Sequence, residues 1–176
     1  MKITIKKFTL TLSFIMLTVI FASAQVQNLS AAISSSVNTA VTGTPTVGAF
    51  ATQADIEDGL ISEPVTFAVK SNRLWKVNTA VTSITGTVIT GGPSTIDFPL
   101  PPGNISWGVL NGAAQTVSSF TAFGSTVNTA TEIKTGPRGA PAVTGNTFTL
   151  RYKIIPGYLV DPGTYAVVVT HTISAQ

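Results

Sequence analysis

The pattern that most restricts this 176-residue chain is an alternation of apolar and polar residues at period two, broken by Gly, Pro and Asn. Beyond residue 25 no segment with helical periodicity competes with it. Side chains of an extended strand point alternately to its two faces, so such segments bury one face and wet the other. Leu29, Ala31, Ile33, Val37 and Val41 share a face, with Asn28, Ser30, Ser34, Ser36 and Asn38 opposite. Val65, Phe67 and Val69 alternate after Glu63-Pro64. Trp75, Val77 and Thr79 continue the pattern over residues 74–81, and residues 82–90 read as a further β-branched strand ending at Gly91-Gly92-Pro93.

The middle of the chain is less regular. Leu100-Pro101-Pro102-Gly103 reads as a turn, because proline fixes φ and lacks a ladder donor. Residues 117–123 form a weaker strand candidate, and residues 135–141 read as a loop. The two clearest strands come last. Phe148, Leu150, Tyr152 and Ile154 line one; after the turn Asp161-Pro162-Gly163, Tyr165, Val167, Val169, His171 and Ile173 line the other. Seven to nine short strands at this spacing predict an all-β domain, a single antiparallel β-sandwich of immunoglobulin-like or jelly-roll-like kind. A closed barrel is the alternative. Val-Asn-Thr-Ala recurs at residues 37–40, 77–80 and 127–130 with unmatched flanks, which reads as strand composition and not as a structural repeat.

The first 24 residues read as a leader. Lys2, Lys6 and Lys7 precede an apolar run over residues 8–21, and Ala22-Ser23-Ala24 follows as a small-residue cleavage site. The run is short for a bilayer span, so processing is expected, with residues 25–176 as one exported domain and no membrane span in the mature form. Removing the leader's three lysines leaves seven basic residues against seven acids, a net charge of zero. Nucleic-acid binding needs a surplus of cations, and none is left. Cysteine is absent, which removes disulfides, a thiol nucleophile and a lipidated anchor. Charged residues make up 10% of the chain, well below the usual quarter, so Thr, Ser, Asn and Gly must cover the surface.

Residues for catalysis are scarce. His171 is the only histidine, so any Ser-His-Asp arrangement depends on it, and its place in the closing strand suits a half-buried rim residue better. Asp55, Glu57 and Asp58, followed by Gly59, are the hard-cation candidate, with calcium as the ion. The calcium-loop pattern is incomplete there, and a solvated turn is the competing reading. Glu57 and Glu63 are the carboxylate pair available for glycoside hydrolysis. No cofactor is expected. Trp107, just after the Pro-Pro-Gly turn, and Trp75, inside a strand, are the aromatics available for stacking on a glycan; core packing is the competing reading, above all for Trp75.

The closing segment Pro162-Gly163-Thr164-Tyr165, followed by an alternating strand through His171 and Ile173, resembles the C-terminal part of WxL-type bacterial surface domains. Trp75-Lys76-Val77 is similar to that family's mid-domain Trp-x-Leu motif. His171 stands where the family has Trp, and Val77 and Ile173 stand where it has Leu. The resemblance implies a β-sandwich at the cell surface, holding to peptidoglycan or to partner surface proteins.

The function expected is a non-enzymatic structural or adhesive subunit of the envelope or cell surface, pilin-like in character. It would be extracellular or periplasmic, with other surface proteins or further copies of itself as partners. A glycan- or cell-wall-binding module is the alternative. Residues 29–41, with Leu29, Ala31, Ile33 and Val37, form the candidate assembly strand, either the first strand of its own sandwich or one donated to a neighbour.

Overall fold

The computed structural model describes residues 33–113 and 116–176. Leu29, Ala31 and the expected leader over residues 1–24 lie outside the described residues, and Ser34–Gln176 forms one body. Its strands are β1 (Val37–Thr42), β2 (Leu60–Ile61), β3 (Val65–Ser71), β4 (Trp75–Thr87), β5 (Ile105–Asn111), β6 (Thr121–Ala122), β7 (Thr131–Gly136), β8 (Thr147–Ile154) and β9 (Thr164–Ala175). A short helix, α1 (Gln53–Asp58), lies between β1 and β2.

Two antiparallel sheets pack face to face as a β-sandwich. The larger runs β1-β3-β8-β5-β6, with β2 also beside β8; the smaller runs β7-β4-β9. Inward residues at every second position build the core between them: Phe67 and Val69 from β3, Trp75 and Val77 from β4, Phe148 and Leu150 from β8. Aromatic rings form its spine. Phe67 and Phe148 stack at 4.9 Å, and Trp75 stacks with Phe148 at 5.9 Å. Offset ring contacts of this kind add to the stabilisation from burial.

Four local expectations are corrected. Residues 74–81 and 82–90 are not two strands: β4 is one strand of 13 residues, paired with β9 along its whole length. Between Val81 and Ser83 the register slips by one residue. Such a bulge inverts the inward phase, so Trp75, Val77, Thr79 and Val81 face the core before it, and Ile84 packs on the core after it. The broken alternation marked a bulge, not a strand end.

Second, Trp107, read from the sequence as following a turn, lies inside a strand. Ile105, Trp107 and Val109 alternate within β5, which lies between β8 and β6. Third, residues 117–123 pair only over the two-residue β6. Before β6 the chain crosses the outer face of β5 at Gly108. A Cβ there would collide with the Val117 side chain and the Ser119 carbonyl, so only glycine lets the crossing sit this close.

Fourth, the acidic stretch is a helix. Thr52 accepts the amide N–H of Asp55 at 3.2 Å, and Asp55 Oδ2 accepts the amide of Thr52 at 2.8 Å, a reciprocal capping box. Gly59, with φ of +78°, ends the helix in the region that glycine adopts without strain. The signal was present in the sequence as Thr52-Gln53-Ala54-Asp55, but one and a half turns are too short to show periodicity.

The three Val-Asn-Thr-Ala segments do not share a structure. Two lie in β1 and β4, whereas the third lies outside the strands and places Asn128 at φ of +64°. Context, not the tetrapeptide, sets its conformation.

Candidate functional site

The larger sheet ends at β1 and the smaller at β9, and these two edges lie on the same side of the sandwich. Between them a groove of about 730 Å³ opens into the space between the sheets. Val41 of β1, Phe67 of β3, Ile154 of β8, and Val167, Val169 and Ile173 of β9 supply most of its apolar wall. Among the described residues no carboxylate, amine or guanidinium lines it.

His171 and Tyr152 are the groove's main polar residues, and they bond to each other. His171 Nε2 lies 2.6 Å from the Tyr152 hydroxyl, and Nδ1 lies 2.8 Å from Thr79 Oγ1. Either ring tautomer satisfies both contacts, since each hydroxyl both donates and accepts. Phe67 meets the imidazole edge-on at 5.1 Å. The side chain therefore braces β9 to β8 across the sandwich and to β4 within its own sheet. Burial disfavours its charged form and pulls its pKa down to about 4, while the same cause pushes the Tyr152 hydroxyl well above its usual range. Both are neutral at neutral pH. Among the described residues both nitrogens bond to hydroxyls and no carboxylate bonds either, whereas a hydrolytic triad orients its imidazole with an acid.

The acidic cluster does not converge. Asp55 spends Oδ2 on the amides of Ala51 and Thr52, bonds that hold its carboxyl below its ordinary pKa. Glu57 Oε1 accepts from Gln53 Nε2 at 3.0 Å and from the Tyr158 hydroxyl at 2.9 Å, which lowers its pKa too. A glycosidase acid needs its pKa raised, so Glu57 is tuned in the opposite direction. Glu63 is exposed in the β2–β3 link. Among the described residues no three His, Cys, Asp or Glu side chains gather as a cation site. Millimolar calcium is therefore expected to leave thermal unfolding unchanged. Thr52→Ala, which removes the cap, is expected to cost about 1 kcal/mol, measurable by urea unfolding. A rise in melting temperature with calcium would restore the cation reading.

The tryptophans face inward. Trp75 is fully buried, and its Nε1 donates to Asn146 Oδ1 at 2.8 Å and to the Pro137 carbonyl at 3.0 Å. It offers no surface to a sugar. Trp107 is half-buried and packs against the core cluster, and its indole N–H finds no hydrogen-bond partner among the described residues. Exposed aromatic surface lies instead at Phe98 and Tyr158, two residues that the sequence reading did not single out.

The residues that carried the family resemblance all do packing work. Val77 is buried and Ile173 packs on the core; Tyr165 donates its hydroxyl to the Asp161 carbonyl at 2.7 Å and so closes the turn into β9. Gly163 sits where a Cβ would lie 3.0 Å from the Thr87 carbonyl oxygen. Of the candidate assembly strand, Ile33 is the first described residue and Val37 opens β1, which pairs with β3 in register Val37↔Ser71 through Thr42↔Thr66.

The fold and groove define the chain as a two-sheet antiparallel β-sandwich with an apolar cleft between two edges that are unpaired among the described residues. It matches no protein-family model, and no curated protein is significantly similar to it.

Proposed function

We propose that this chain is an exported, non-enzymatic structural or adhesive subunit of the cell envelope or surface that works through protein–protein contacts. One observation carries the reading: the twelve-residue edge of β9, uncharged and without proline, borders an open apolar groove. Proteins that stay monomeric blunt such edges with lysine, proline or a covering loop. The leader, a mature charge of zero and the Thr- and Ser-rich surface favour the same reading. WxL-type surface domains are the family whose mode of life it would share. The glycan-binding alternative has less support, because Trp75 is inside the core and Trp107 packs against it.

The test is cross-linking on intact cells of the native host. A tagged copy should yield a ladder of covalent species that external protease removes. A tagged copy found only as an uncross-linked cytoplasmic species would sink the proposal.

A further inference from the structure

We infer that the groove is filled by the N-terminal arm, residues 25–33, of a second copy, added as a strand along the free edge of β9. The pairing rests on the subunit reading above and names the partner and the segment it supplies. Three features of the chain point to this occupant.

The first is chemical match. The arm, Gln-Val-Gln-Asn-Leu-Ser-Ala-Ala-Ile, has no charged side chain and no proline, and Leu29, Ala31 and Ile33 fall at period two. It can donate and accept along a ladder while turning one apolar row inward. The groove offers the complement, an apolar wall with no ionised group among the described residues, beside the neutral His171–Tyr152 pair.

Length is the second. Nine extended residues span about 30 Å. The groove-lining part of β9 runs from Val167 to Ile173, seven residues or about 23 Å. Among the described residues β9 pairs only with β4, so its other edge has its amides and carbonyls available over that stretch.

The third is the way the body begins. Asn72 holds the chain at Ser34 and Ser36 as a strand neighbour would. Its Nδ2 donates to the Ser34 carbonyl and its Oδ1 accepts the Ser36 amide, both at 2.8 Å; its own amide donates to the Ser36 carbonyl at 3.2 Å. Residues 34–36 are thereby committed to leading into β1. A return into the same molecule's groove would have to reverse the chain immediately before this clamp. A hairpin turn there uses at least two residues and removes Ile33 from the inserted row. Insertion into a second copy keeps all three apolar positions.

The experiment uses the mature chain, residues 25–176, in three forms: unaltered, with Leu29→Asp and Ile33→Asp in the arm, and with Val41→Glu in the groove. Val41 lines the groove yet is 55% exposed on an edge strand, so the change spares the core. Val168→Glu, at a groove position 52% exposed, serves if Val41→Glu fails to fold.

Light scattering after gel filtration should show mass rising with concentration for the unaltered chain and monomers for each variant. Mixing the two variants should restore a one-to-one pair, because an intact arm then meets an intact groove. A labelled peptide of residues 25–36 should bind the arm variant at least about tenfold more tightly than the groove variant. Assembly that persists in both variants overturns the inference while leaving the subunit reading in place. An unaltered chain that stays monomeric at every concentration also overturns it. If the arm variant still captures the peptide in that case, the arm folds back into its own groove.

Discussion

Trp75→Ala is expected to destabilise the domain by about 4 kcal/mol, the cost of deleting a large aromatic from a packed core. Native domains have only about 5–15 kcal/mol of stability, so much of the population would unfold under mild denaturant. Two costs combine. The indole is fully buried against Phe148, and a void at its site would not collapse between two paired sheets. Its N–H is also what satisfies Asn146, itself fully buried, and that amide in turn donates from Nδ2 to the Ala140 carbonyl at 3.0 Å. Removing the indole strands the Asn146 carbonyl oxygen away from water, which adds a desolvation penalty. Gly136, paired opposite Trp75 on β7, has no room for a Cβ beside the ring, so the two positions fit only as a pair. Urea unfolding followed by far-UV circular dichroism measures the effect. Trp75→Phe should fall between wild type and Ala, since it keeps most of the area but not the donor. A loss below about 1 kcal/mol for Trp75→Ala would place the centre of the core elsewhere.

The second large effect is a loss of stability in mild acid, caused by His171. Its folded pKa of about 4 lies below the ordinary 6.5, so the unfolded chain binds the proton more readily. Stability therefore rises with pH across the window from about 4 to 6.5 and is fully present above it. As pH falls through that window the stability is lost, by at most about 3 kcal/mol, and below pH 4 this group changes nothing further. Among the described residues Tyr152 is the only titratable hydrogen-bond or ring partner of the imidazole. It stays neutral throughout, because burial pushes its pKa up. Asp55 and Glu57 act at lower pH. Hydrogen bonds depress their pKa values, so their contribution holds above the ordinary carboxylate range and is lost as pH falls through their depressed values. The urea midpoint should drop between pH 6.5 and 5 in the wild type, above the range where the carboxylates titrate, and stay level over that window in His171→Gln. An equal slope in both proteins would remove His171 as the cause.

Much of the fold was legible because strand alternation is a local signal. The inward row Phe148, Leu150 and Tyr152 of β8 reads from sequence alone, and those residues are buried as expected. The site was harder to read. Val41, Ile154 and Val167 look like ordinary strand residues, and their meeting in one groove depends on β1 and β9 ending the two sheets on the same side. His171 was noticed for its rarity, but its two hydroxyl partners lie 92 and 19 residues away in the chain. No spacing rule links them.

By itself the sequence determined that this chain is all-β, which residues of each clear strand face inward, and that residues 25–176 carry no net charge. Those properties follow from side-chain direction and from composition, which need no partner strand. Only the tertiary structure decided that β4 is a single bulged strand, that Trp75 is a hydrogen-bonded core residue, and that Thr52 and Asp55 close a helix. It alone also left β9 as an uncharged edge over an apolar groove. Register and strand order cause the difference, because they are set by pairings between residues far apart in the chain, where a one-residue slip exchanges the two faces.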